Sequence, residues 1–576
     1  MRRRLVLSLL VVSAVAAAAG PAGVAAPGKS RLASFVSRDA RLFLRVDDRH
    51  AFLRRARRTD ISRALAGPQA TFARESLLRL TSDLTLFLPP VVIDAVPAIL
   101  GRGEGEVALS VEGFTLERGE PYPDVLLLAD LSGFEGVVSR LRAAAHGAMD
   151  VRSVVSEFAL PFDAVERPDL LMHRGIDLVR LTTSAGAPIV LAEHRGLLLG
   201  AGRPEPIRAA IDRMDDPHFG ALADDPAFAR CWNELDPAPG SLFAYSNLRL
   251  LRREEAFLRA EEIVLRELFV RDLDDYDALA LHVRGVGDQF ELRGWLDVGK
   301  GKGPARPLFG GDAPFRAPRV VDGEVTASLS FRLDGVRIGR LLAALNPALG
   351  GLLDADRLAT RFDEIVNIRE RIELASLLGG EVMLLHTRNM VGRIPTTLVL
   401  VETRDPAALR QLLDRIAERS PQVQATDAPA GRTWSLSLRL NMHLSRPAFG
   451  VVDRWLVGGA NAVALHALRQ GAAAGEERLA RTEAYLAPFD RLDLGVDGPR
   501  TTTLFLDTPH LGPVASVWLQ SVAPRVRVAA DAMETAEFLN DLLQLWDDPE
   551  VHEALHGTVA VTRSRPAGVR IDAVGP

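Results

Sequence analysis

Apolar and polar positions fall in the same order twice along the 576-residue chain, once before and once after a Gly/Pro-rich joint near residue 300. The first pass runs from Gly105-Glu106-Val107 through a wholly apolar stretch, 125–129, to Phe134, Val137, Val138 and Leu141. The second runs from Gly380-Glu381-Val382 through 397–401 to Leu409, Leu412, Leu413 and Ile416. The i, i+3, i+4, i+7 spacing of each closing group predicts a helix with one buried stripe, and the apolar stretch before it predicts a strand. Ser132 with Glu135 three residues on predicts a capping box at the first helix. Asp405 followed by Pro406 predicts an N-cap with proline in the first turn at the second.

The parallel continues. Residues 188–200 (PIVLAEHRGLLLG) match 447–459 (PAFGVVDRWLVGG) without a gap, two short apolar runs around a polar centre, which predicts a hairpin in each place. Leu222-Ala223-Asp224 and Leu479-Ala480-Arg481 follow, then strands over 241–245 and 502–506, a long amphipathic helix, and closing pairs that end at 290–299 and 568–575. Hairpin-type joins outnumber crossovers of βαβ length. The predicted fold is therefore α+β: two similar lobes from an internal duplication, each a mainly antiparallel sheet with amphipathic helices. The lobes are assigned to 34–299 and 323–576. Between them 300–322, containing KGKGPARPLFGGDAPFRAP, has neither helical nor strand periodicity and reads as a linker.

Residues 1–26 read as a signal peptide: Arg2-Arg3-Arg4, an apolar stretch over 5–19, and small residues at cleavage points after Ala19, Ala25 or Ala26. No cysteine stands at these cleavage points, which excludes lipoprotein attachment. The most hydrophobic stretch downstream, 84–100, is broken by Pro89, Pro90, Asp94 and Pro97, so no transmembrane segment is expected after signal cleavage. The expected location is extracytoplasmic, periplasmic or secreted, with the chain soluble or peripheral. A single cysteine, Cys231, excludes an internal disulfide. The net charge of −6 is too small to imply a nucleic-acid partner, and none is expected. Arg54-Arg55-Ala56-Arg57-Arg58, with Arg38, Arg41, Arg45 and Arg49 upstream, forms a local basic run. Asp39, Asp47, Asp48 and Asp60 interleave with it, which reads as a solvated helix face rather than a headgroup-binding patch.

The export signal, the repeated order of GEV strand, strand–helix pair and glycine-ended hairpin, and Asp225-Pro226-Ala227-Phe228 together resemble an uncharacterised group of exported bacterial proteins, domain of unknown function 3352. The resemblance spans most of the mature chain. It implies an extracytoplasmic protein and transfers no catalytic residue.

One string has the form of a metal site. His552-Glu553-Ala554-Leu555-His556 would place His552 and His556 on one helical face, able to share a zinc ion, with Glu553 as general base. Asp548-Pro549 and Gly557 confine that helix to about two turns, and Asp572 is the one side-chain carboxylate downstream that could be a third ligand. A surface helix is the preferred reading. Gly294 to Lys300, GWLDVGK, matches a phosphate-binding loop up to its lysine, but Gly301 stands where a magnesium-binding hydroxyl belongs. Asp272, Asp274, Asp275 and Asp277 lack the glycine and terminal glutamate of a calcium loop. Glu193 with His194 could be an acid/base pair, although the ungapped match sets Val452 and Asp453 opposite them, and a hairpin-turn role is preferred. The matched pairs Glu106/Glu381 and Arg195/Arg454 could flank a cleft, but solvent-facing strand and turn positions are preferred.

The sequence thus points to an exported envelope protein with a non-enzymatic binding or structural role. No catalytic, cofactor-binding or metal residue and no cofactor is assigned. An apolar ligand or an envelope protein is the partner class, favoured by 47% hydrophobic against 6% aromatic content and by the proline-punctuated segment 84–100. The alternative is a zinc-dependent hydrolase built on His552, Glu553 and His556.

Overall fold

A computed structural model describes residues 30–59, 62, 105–117, 120–158, 168–183, 188–216, 218–253, 276–299, 313–321, 324–332, 365–391, 394–427, 431–440, 443–445, 447–459, 465, 478–510, 557–565 and 567–575. The two-lobe fold class is corrected. Twenty of the described strands belong to one mostly antiparallel sheet, and a second described sheet holds the pair Leu438–Leu440 and His443–Ser445. Alternation along a strand decides which side chains face which side. It does not mark where a sheet stops, because backbone edges pair irrespective of side-chain pattern.

Backbone contacts nevertheless cluster into two compact units. In the first, the strands in chain order are β1 (Leu42–Val46), β2 (Val107–Glu117), β3 (Glu120–Asp130), β4 (Asp169–His173), β5 (Ile176–Thr182), β6 (Pro188–His194), β7 (Leu197–Ala201), β8 (Leu242–Ser246), β9 (Ala278–Val286) and β10 (Gln289–Asp297). They pair antiparallel in the order β4-β5-β6-β7-β3-β2-β1-β8-β9-β10. One face packs the helices Pro204–Asp215 and Pro226–Leu235, where Phe228 meets Phe43, Phe243 and Tyr245 edge-on and stacks on Trp232. Ring edges against ring faces fill such a core with favourable quadrupole contacts. The other face packs Val137–Ala145 and Val151–Glu157 through Val137, Val138, Leu141, Val154 and Val155.

The second unit holds β11 (Val325–Arg332), β12 (Leu378–Val391), β13 (Ile394–Thr403), β14 (Val423–Thr426), β15 (Thr433–Leu436), β16 (Leu438–Leu440), β17 (His443–Ser445), β18 (Ala448–Val452), β19 (Trp455–Gly459), β20 (Thr502–Leu506) and β21 (Thr558–Arg565). Apart from the β16–β17 pair, its strands run β14-β15-β18-β19-β13-β12-β11-β20-β21, again antiparallel throughout. Trp455, Tyr485, Phe489 and Phe505 fill one core. Leu409, Leu412, Leu413 and Ile416 of the helix Pro406–Arg419 close over Trp434 and Val423 in another.

Helix starts follow side-chain chemistry. The Asp405 carboxylate accepts from the N–H groups of Ala407 (3.0 Å) and Ala408 (2.9 Å), and Asp225 does the same for Ala227 (2.8 Å) and Phe228 (3.0 Å), each with proline next in sequence. The capping box expected at Ser132 and Glu135 is corrected: that helix starts at Val137 behind Gly136, whose φ is +78°, and the Glu135 carboxylate accepts instead from the Gly133 N–H at 2.9 Å. A reciprocal box forms at Asn367 and Glu370. The basic run is not a wholly solvated face either. Arg49 is fully buried and Arg45 nearly so, while the Arg55 guanidinium donates to the Pro239 carbonyl at 2.8 Å. Among the described residues no helix is long and apolar enough to cross a membrane.

Candidate functional site

His552, Glu553 and His556 lie outside the described residues, as do residues 1–26, 84–100 and 300–312 and Asp272, Asp274 and Asp275. Among the described residues no group of three or more His, Cys, Asp or Glu is placed to hold a metal ion. Gly294 and Asp297 lie within strand β10, not in a loop, and the fully buried Asp297 carboxylate takes both arms of the Arg230 guanidinium at 2.8 and 2.6 Å.

Glu193 and His194 are neighbours on β6 and so point to opposite faces of the sheet. Glu193 accepts from the Val138 N–H at 2.9 Å, at the start of the helix Val137–Ala145. His194 Nε2 lies 3.1 Å from Asp215 on the helix Pro204–Asp215, where Arg195 joins it at 2.9 Å. Hydrogen bonding to His194 comes first among the causes that hold the Asp215 carboxyl below its ordinary value. An acid/base couple is not formed.

The same construction occurs one hairpin earlier. His173 Nε2 lies 2.9 Å and Arg174 Nε 2.6 Å from Asp212, one helical turn before Asp215. His173-Arg174-Gly175 and His194-Arg195-Gly196 are one tripeptide used twice, and both arginines have φ of +50° and both glycines positive φ. Two central residues with positive φ suit the tight turn of a twisted two-residue hairpin. The repeated tripeptide was the available signal for this clamp, and the duplicated frame concealed it because the second unit has no counterpart. The frame was also misregistered here. In the second unit the two-residue turn between β18 and β19 is Asp453-Arg454, so Asp453, with φ of +50°, rather than Arg454, occupies the position of Arg195.

The matched glutamates do correspond, since Val107 opposes Ala129 and Val382 opposes Val401 one residue after each of them. Their expected solvent-facing position is corrected, because Glu106 is 8% and Glu381 0% exposed. Glu106 receives the Ser30 hydroxyl at 3.0 Å and the Arg45 guanidinium, and its own N–H donates to Asp130 at 2.6 Å. Asp130 in turn pairs with Arg31. The Arg45 guanidinium also lies over the Trp232 ring, 4.9 Å from its centre. Gly105, with φ of +93°, is needed beside this cluster, for a Cβ there would sit 2.4 Å from Asp130 Oδ2.

In the second unit the Glu381 Oε1 accepts the N–H groups of Arg316 (2.8 Å) and Ala317 (2.7 Å), while Arg332 stands 3.8 Å from Oε2. Glu402, the counterpart of Asp130, binds Arg454 at 2.5 Å and lies 3.6 Å from Arg316. Burial pushes the Glu381 carboxyl above its ordinary value, and its Oε2 makes no hydrogen bond. A carboxyl so placed can carry a proton, but general acid/base work needs the reacting atom within hydrogen-bond reach. No solvent-borne atom reaches a side chain with no exposed surface. Both glutamates instead receive residues at the start of a one-turn 3-10 helix, Leu32–Ser34 or Ala317–Arg319, that precedes the first described strand of each unit.

Other ionisable groups are spent in the same way. Glu112, raised chiefly by burial, meets Arg213 at 3.5 Å, the Ser37 N–H at 3.2 Å and the Ser110 hydroxyl at 2.9 Å. Burial pushes the Cys231 thiol well up, which disfavours the reactive thiolate. His282 of β9, 1% exposed, accepts the Ala238 N–H through Nε2 at 3.3 Å and leaves Nδ1 without a partner. Comparison of the chain with family models, curated proteins and solved structures finds no match.

Proposed function

We propose that the chain is an exported, extracytoplasmic envelope protein with a non-enzymatic binding or structural role, its partner an apolar ligand or another envelope protein. The observation that carries this reading is the use made of Glu106 and Glu381. Carboxylates that recur at matched positions and are withdrawn from solvent are typical of either a tuned catalytic site or a structural anchor. Here each binds residues of its own unit at the start of a one-turn 3-10 helix, Ser30 in one and Arg316 and Ala317 in the other. The resemblance to exported bacterial proteins and the leader-like residues 1–26 support the location.

The test is native mass spectrometry with metal analysis on protein purified from an envelope fraction. A co-purifying lipid, peptide or envelope protein supports the reading. Stoichiometric zinc that disappears in the His552→Ala/His556→Ala variant, with hydrolytic activity lost in Glu553→Gln, would replace it with a zinc-dependent hydrolase.

A further inference from the structure

We infer that two copies of this chain associate through strand β4, pairing Asp169–His173 with itself in antiparallel register about a two-fold axis at Leu171. This goes beyond the binding or structural reading and does not depend on it. Among the described strands β4 pairs with β5 alone. The two are joined by the two-residue turn Arg174-Gly175, so His173 and Ile176 form a hydrogen-bonded pair, as do Leu171 with Leu178 and Asp169 with Arg180. The backbone N–H and C=O groups of Leu170 and Met172 therefore point to the open edge. These same residues carry exposed apolar side chains, Leu170 at 37% and Met172 at 68%. An edge that is apolar and free of proline and lysine is a template for another strand.

Charge complementarity selects a second copy as that strand. Antiparallel pairing about Leu171 sets Asp169 opposite His173 of the other copy, and Leu170 opposite Met172, at both ends alike. Asp169, which Arg180 of its own copy holds at 2.6 Å, and His173, 2.9 Å from Asp212, lie on one face and Leu170 and Met172 on the other, so an acid meets a base on one side as an extension of these ion pairs and two apolar side chains meet on the opposite side. The outward backbone groups of Leu170 and Met172 then fall in the hydrogen-bonded pairs. The arrangement is isologous and closes at two copies. The corresponding strand of the second unit, β14, lacks this design: its exposed residues are Gln424, Ala425 and Thr426.

Sedimentation of the purified chain tests the proposal. A monomer–dimer equilibrium is expected, and Leu170→Lys with Met172→Lys should weaken it by at least about ten-fold, since lysines on an edge block pairing. Far-ultraviolet circular dichroism should stay unchanged, and so should the unfolding midpoint at dilutions where both proteins are monomeric, because both side chains are exposed. Leu171→Cys places a thiol on the two-fold axis, and mild oxidation should link the dimer covalently; Cys231 is buried and adds no competing bond. A wild-type chain that stays monomeric up to about 100 µM overturns the proposal. So does a dimer that survives the two lysines, or one in which Leu171→Cys gives no cross-link.

Discussion

Acid should unfold the first unit in a way that one buried histidine controls. His282 faces Phe243 across β8–β9 and Arg293 across β9–β10, and burial, aided by Arg284 and Arg293, lowers its pKa from 6.5 to about 3. Between those values the unfolded chain binds a proton that the folded chain refuses. Stability is therefore fully present above pH 6.5 and is lost as the pH falls toward 3. Each pH unit inside that window is worth about 1.4 kcal/mol, so the loss from this residue is about 2 kcal/mol at pH 5. His282→Val separates this from the titration of the carboxylates. The corresponding rung of β21 carries Val561, fully buried, so valine suits such a site. The variant gives up the acceptor for the Ala238 N–H, which costs about 1 kcal/mol near neutrality, but its stability should fall less steeply between pH 8 and pH 5. Urea unfolding followed by fluorescence reports on the right core, since Trp295 opposes Ala280, the residue before His282 on the same face of β9. Identical pH dependence in wild type and variant would refute the reasoning.

Three further outcomes are expected. Glu381→Ala should destabilise by about 2 kcal/mol by leaving the buried Ala317 N–H and the part-buried Arg316 N–H without an acceptor, whereas Glu381→Gln should be close to neutral at pH 7. A carboxyl raised by burial contributes stability that is complete below its unfolded value of 4.5 and is lost as the pH rises through its folded value; urea titrations of the two variants check this. Gly105→Ala should cost more than about 1 kcal/mol, through its positive φ and the clash with Asp130, while Gly380→Ala, which meets nothing within 4 Å, should cost far less in the same assay. Asp405→Ala should cost about 1 kcal/mol in thermal unfolding through the lost cap.

Local elements were legible because they depend on neighbours in sequence. The apolar stripe of Leu409, Leu412, Leu413 and Ile416, the Asp-Pro helix starts and the hairpins β6–β7 and β18–β19 are written in spacing and side-chain chemistry. A one-residue error in matching the hairpins was invisible, since both registers keep the apolar runs aligned, and only backbone conformation separates Asp453 from Arg454 as the partner of Arg195. The match of Glu106 with Glu381 was legible; their burial was not. A glutamate on a strand reads as solvent-facing until the docking residues Ser30 and Arg316, 76 and 65 positions away, are brought against it. The sequence by itself determined the matched strands and hairpins and the buried stripes of the helices Val137–Ala145 and Pro406–Arg419, because periodicity is short-range; the long helices expected after 241–245 and 502–506 lie outside the described residues. Only the tertiary structure decided that twenty strands share one sheet, which carboxylates are anchors, and that His282 is locked in as a neutral base, because edge pairing and desolvation are properties of residues distant in the chain.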